Sequence, residues 1–151
     1  MNQTATTSVT RFIKMRHIPH LREADTVLVA IEQMIESKSG SVLVTCPQDE
    51  LLGIVTERDI MTRVTAEGLD PKSTRLAEVM TTEITTISEE TSLNDAVHIM
   101  SKQRIRHLPV VNSDNRVLGM VTLRYLLHDR IDDLISEVQS LEAYLNDAPG
   151  G

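Results

Sequence analysis

The 151-residue sequence has no tryptophan, one phenylalanine (Phe12) and two tyrosines (Tyr125 and Tyr144). A core must therefore be assembled from Val, Ile, Leu and Met, and the aromatic platforms on which single-stranded nucleic acid stacks are missing. Acidic residues outnumber lysines and arginines 22 to 15, a net charge of −7 that excludes a broad phosphate-backbone surface. The lone Cys46 allows no intrachain disulfide and suits a reducing compartment. No apolar run approaches the roughly 18 residues of a membrane span, and Met1–Thr10 is polar, unlike a secretory leader. A cytoplasmic protein without nucleic-acid or membrane partners is expected by elimination.

Catalytic patterns are missing too. There is no Walker loop, no Gly-x-Gly-x-x-Gly and no Ser-His-Asp arrangement. His17-x-x-His20 is half a metal site, with no Cys or carboxylate set to complete tetrahedral ligation. Cys46 follows a predicted strand and reads as a small packed hydrophobe. Glu89-Glu90 precedes a predicted helix, whose dipole it complements. No enzyme, catalytic cofactor or metal is expected.

What the sequence does contain is a repeat. Gly53-Ile-Val-Thr56 aligns with Gly119-Met-Val-Thr122 at an offset of 66 residues, and the offset carries Thr26–Met61 onto Ser92–Leu127 without a gap. Identical pairs include Ala30/Ala96, Met34/Met100, Val44/Val110, Leu52/Leu118 and Arg58/Arg124. Such a match marks a tandem duplication.

Each unit reads alike. Asp25 or Thr26 caps a helix whose apolar face is Val27, Ala30, Ile31, Met34 and Ile35. Val42–Thr45 and Leu51–Val55 read as strands around a turn at Pro47–Glu50, and Thr56 caps a second helix running to about Ala66. The second unit repeats this with Leu108–Val111, the turn Asn112–Asn115 and Val117–Val121. The predicted fold is mixed α/β (α+β). It has two β-α-β-β-α units packed by pseudo-twofold symmetry, since one unit of about 60 residues buries too little surface alone, plus a C-terminal helix. The boundaries expected are a disordered 1–8, units at 9–70 and 71–130, a helical extension at 131–146 and a flexible tail at 147–151.

Thr56 ends a strand and opens a helix, with Asp59 in its first turn. Thr as cap and Asp as dipole partner explain both residues. The same geometry also suits a phosphate at the helix N-terminus and a diol on the carboxylate. Lys102, Arg104, Arg106 and His107 cluster before a strand in an otherwise acidic chain. They form either a solvated basic face or a phosphate site.

Gly-h-h-Thr-x-x-Asp at Gly53–Asp59 and Arg-His-Leu-Pro-Val-Val at Arg106–Val111, in this unit order, resemble CBS domains over roughly residues 11–130. Glu57-Arg58-Asp59 resembles stand-alone bacterial pairs of the signalling type. The resemblance implies a regulatory module, often a flat homodimeric disc. Its ligand would be AMP, ADP, ATP, NAD or S-adenosylmethionine, and its output would pass to an effector protein. It implies that Asp59 holds ribose and that Thr56, Arg106 and His107 meet phosphate, with Arg58 and Arg63 as further phosphate candidates. Adenine would rest against Ile84, Ile105 and Leu108. In the second unit Thr122 matches Thr56, but Tyr125 stands where Asp59 stands, so one good site per chain is expected. An interaction module that has lost nucleotide binding is the alternative.

From Leu127 to Leu145 apolar residues recur at spacings of 4, 3, 4, 3 and 4, with Ile131 and Val138 at a and Leu134 and Leu141 at d. That choice suits a parallel two-stranded coil, although the same stripe could pack back on its own chain.

Overall fold

In the computed structural model, which describes residues 8–10 and 18–146, strand β1 (His20–Leu21) runs parallel to β2 (Ser41–Thr45). β2 pairs antiparallel with β3 (Leu51–Thr56). Helix α1 (Val27–Ser37) joins β1 to β2; α2 (Glu57–Asp59) follows β3 and continues as a π-helical segment, Ile60–Thr65. A short α3 (Leu76–Val79) leads into the second half. There α4 (Leu93–Gln103), the antiparallel pair β4 (His107–Val111) and β5 (Val117–Thr122), and α5 (Leu123–Asn146) follow.

The 66-residue offset recurs throughout the backbone. Thr26 caps α1 by accepting from the Val29 N–H, and Ser92 caps α4 by accepting from the Asp95 N–H. Both helices end as the chain turns left-handed, at Lys38 (φ 53°) and Arg104 (φ 55°), whose N–H groups close on carbonyls of the last turn. Both hairpin turns use a residue type that tolerates that conformation, Asp49 (φ 64°) and Asn115 (φ 60°). Each hairpin slips register at the same place, Val44/Thr45 and Val110/Val111. The pairing of Leu21 with Val44 is echoed by a single bridge from Ile87 to Val110.

Each half has its own apolar core. Val27, Ala30, Val42, Val55, Val64 and Leu76 fill the first; Ala96, Met100, Leu108, Val110, Val121 and Leu126 fill the second. Leu43, Leu51, Ile54 and Met120 build a third cluster between the halves. The hairpins there exchange reciprocal bonds: Leu51 N–H to Asn115 O and Val117 N–H to Asp49 O, both 3.1 Å. Those two bonds are themselves related by the 66-residue shift, so a pseudo-twofold axis passes between them.

Three local expectations change. The helix after Thr56 widens into a π ladder, with Ala66 N–H on Met61 O at 3.0 Å. The Thr62 hydroxyl binds the Arg58 carbonyl at 2.8 Å and competes within the same turn. The second unit's last helix and the C-terminal heptad segment are one helix of 24 residues. Cys46 is partly exposed beyond β2 rather than packed in the core. Of the N-terminal segment expected to be disordered, Ser8 bridges to Ser92; residues 1–7, the tail 147–151 and His17 lie outside the described residues. Among the described residues no cluster could hold a metal and no helix is long and apolar enough to cross a membrane.

Candidate functional site

Two cavities flank the pseudo-axis, one at each strand-to-helix junction. The first, about 320 Å³, opens where β3 passes into α2 and takes in Thr56, Arg58 and Asp59 from the first half. The second half closes it with Gln103 to His107, the turn between α4 and β4. The other cavity, about 860 Å³, opens where β5 passes into α5, at Thr122 and Arg124, and is closed by Lys38 to Gly40 of the first half. The two are counterparts: Glu57 N–H binds Gly40 O at 3.0 Å, and Leu123 N–H binds Arg106 O at 2.9 Å. Gly40, Glu57, Arg106 and His107 line both cavities and so form their shared wall. A Cβ on Gly40 would lie 3.4 Å from both the Glu57 carboxyl and His107 Nε2, in ordinary contact, so this backbone runs close against the shared wall.

Asp59 is 9% exposed and heavily bonded. Its Oδ2 accepts from the Thr56 N–H at 2.9 Å and the Thr56 hydroxyl at 3.0 Å, while Thr56 Oγ1 accepts from the Asp59 N–H at 3.3 Å. This is a capping box, which satisfies donors at both ends of the first turn. The second oxygen, Oδ1, accepts from the Thr81 hydroxyl at 3.3 Å and lies 3.9 Å from Arg63 Nε. The carboxylate is thus fixed in orientation at the cavity wall, with lone pairs left for a ligand.

The residues expected to contact a ligand divide into three groups. Thr56, Arg58, Asp59, Ile84, Ile105, Arg106 and His107 all line the smaller cavity. Thr122 lines the larger one, where its hydroxyl accepts from the Tyr125 N–H at 3.3 Å. Arg63 and Leu108 line neither. Arg63 Nη1 instead donates to Val79 O at 3.0 Å and Met80 O at 3.2 Å, tying the end of α3 to the helix after Thr56. Leu108 is fully buried in the second core, because pleat alternation turns it to the face opposite its neighbour His107. Tyr125 packs against that same core. Among the lining residues that sequence reasoning missed are Gly40, Ile54, Glu57, Thr81 and Glu83. For Gly40 the signal was available, since the repeat offset places it opposite Arg106.

Burial lowers the His107 pKa below the usual histidine range; the nearby Glu57 carboxylate opposes that and the Arg106 guanidinium adds to it. A depressed folded-state value means that the fold prefers neutral His107. The corresponding stability is complete above the pH where a free histidine titrates, about 6.5, and is lost as pH falls through the lower folded value. We expect the urea midpoint to decline between pH 7.5 and pH 5.5, and His107→Gln to flatten part of that decline.

The CBS domain profile matches residues 9–66 and 76–132. A mitochondrial CBS domain-containing protein of Arabidopsis thaliana, CBSX3, is 34% identical over 125 residues, 80% of this chain and 60% of that protein. A solved protein with CBS domains from Burkholderia ambifaria MC40-6 superposes with a TM-score of 0.76 at 31% identity, covering 84% of this chain and 96% of that one. The structure of CBSX2 in complex with AMP shares the fold at a TM-score of 0.68 and 20% identity, covering 83% and 96%. The chain spans less than two thirds of the length of the first curated relatives it matches.

Proposed function

Because this chain belongs to the CBS-domain family, as a tandem pair, we propose that it is a non-catalytic regulatory module that binds an adenine nucleotide in the cavity at Thr56 and Asp59. The observation that carries this is the composition of that cavity. An oriented, nearly buried carboxylate stands on one side, and Arg104, Arg106 and His107 of the other half face it. The carboxylate suits ribose hydroxyls, the guanidinium groups suit phosphate, and Ile84 and Ile105 offer an apolar bed for the base. The solved relative in complex with AMP supports the ligand class. Since both halves contribute, a ligand there favours one relative placement of the two units, and an effector protein in the cytoplasm would read that placement or the state of a homodimer. The larger cavity lacks the carboxylate, because Tyr125 replaces Asp59 and packs into the core.

Thermal unfolding with AMP, ADP, ATP, NAD⁺, NADH and S-adenosylmethionine, with GTP as control, tests the reading. A ligand present at about 100 times its dissociation constant stabilises the native state by about 2.7 kcal/mol, a rise of roughly 5–15 °C for a domain of this size. No rise with any adenine ligand would favour a pure interaction module. That second reading has its own support, since both Asp59 oxygens already hold Thr56 and Thr81.

A further inference from the structure

The two cavities differ in charge far more than the repeat would suggest. Beside Arg58, Arg104 and Arg106, the smaller one carries three carboxylates, Glu57, Asp59 and Glu83, so its formal charges cancel. The larger one gathers Lys38 from the end of α1, Arg106 from the turn before β4 and Arg124 from the first turn of α5, with Glu57 as the one carboxylate in its lining. No ion pair among the described residues engages those three cations. In a chain with a net charge of −7, three cations from separate elements facing one cavity concentrate positive potential where the surroundings are acidic. His128 adds little, since its Nδ1 lies 3.0 Å from Asp132 Oδ2 on the same helix. The fixed diol acceptor of the smaller cavity has no counterpart here, because Tyr125 stands in the place of Asp59, and Glu57 belongs to the wall that both cavities share.

We infer that the cavity at Thr122 is a site for a polyphosphate chain, held by Lys38, Arg106 and Arg124, and not a second nucleoside site. Guanidinium forks and an ammonium group engage successive phosphoryl oxygens, and the Thr122 hydroxyl at the N-terminus of α5 faces the same space. The chain of phosphoryl groups has two sources: a free inorganic polyphosphate, or the tail of a nucleotide whose base lies in the neighbouring cavity and whose phosphates pass the shared Arg106. The inference goes beyond the nucleotide reading: its free-anion form stands without that reading, and its nucleotide-tail form rests on it.

The test is calorimetric titration of the full chain with inorganic tripolyphosphate, ATP, AMP and adenosine, in wild type, Lys38→Ala, Arg124→Ala and Asp59→Asn. Lys38 and Arg124 are exposed and outside every core cluster, so unchanged melting temperatures verify the fold. For a free anion, tripolyphosphate binds wild type once per chain, weakens about tenfold in each cation variant, and is indifferent to Asp59→Asn. For a nucleotide tail, tripolyphosphate alone binds weakly, while Arg124→Ala weakens ATP about tenfold and leaves AMP unchanged. Tripolyphosphate binding without any adenine ligand would retain this site and dismiss the nucleotide reading. The inference is overturned if tripolyphosphate fails to bind and the ATP-to-AMP ratio is the same in all variants, or if adenosine occupies a second site that Arg124→Ala does not disturb.

Discussion

Asp59→Ala is expected to abolish the rise in melting temperature produced by AMP and to lower the stability of the free protein by about 1–3 kcal/mol. Both effects trace to one side chain with two employments. A carboxylate that merely complemented a helix dipole would cost about 0.3–1 kcal/mol to remove. Here Asp59 also closes a capping box with Thr56 and accepts from Thr81, so the free protein loses a cap and leaves a half-buried hydroxyl short of a partner. Ligand binding loses an acceptor whose orientation was set in advance, which is why the fall in affinity should exceed the fall in stability. Asp59→Asn separates the two. An amide oxygen can still accept from the Thr56 N–H, so most of the fold's stability should return, while paired acceptance from a diol should not. If Asp59→Asn restored AMP binding as well, the carboxylate would be a structural cap and the nucleotide would lie elsewhere.

That double role shows where sequence reasoning reaches and where it stops. The 66-residue offset predicts paired helix caps, paired hairpins and paired strand-to-helix junctions, and the structure places them at Thr26/Ser92, Asp49/Asn115 and Thr56/Thr122. These features are local: a hydroxyl before an apolar-periodic run, a short polar residue in a left-handed turn. The reciprocal bonds between Leu51 and Asn115 and between Val117 and Asp49 depend on how the halves meet, which no window of sequence displays. The same holds for Thr81, 22 residues beyond Asp59 and brought to it by the crossover between halves. Leu108 is a different case. Its strand places neighbouring side chains on opposite faces, so His107 and Leu108 could not both face one cavity, and the alternation alone was enough to separate them.

Self-association is expected to run through the exposed seam of α5, and Ile131→Asp combined with Val138→Asp should convert a dimer to a monomer in analytical ultracentrifugation, raising the dimer dissociation constant at least about a hundredfold. The seam from Leu127 to Leu145 is 44–73% exposed, with Ile135 alongside it at 50%. A stripe that folded back on its own chain would be covered, and α5 buries Leu126 alone. Seven large apolar side chains, Leu127, Ile131, Leu134, Ile135, Val138, Leu141 and Leu145, stand uncovered along about five turns of one helix. A second copy offers the matching stripe in the same heptad phase, with β-branched residues at a and leucines at d. Neither aspartate touches a core cluster, so helical content and melting temperature should hold apart from the contribution of assembly itself. A wild type that sediments as a monomer at micromolar concentration would refute the seam. The consequence for signalling lies at the seam's first turn. Leu127 and Ile131 also wall the cavity at Thr122, so docking a second α5 there narrows the space an anion would occupy or completes it. By linkage, an anion that binds one state better shifts the monomer–dimer balance by that affinity ratio for each anion bound, which would turn ligand binding into a change of assembly.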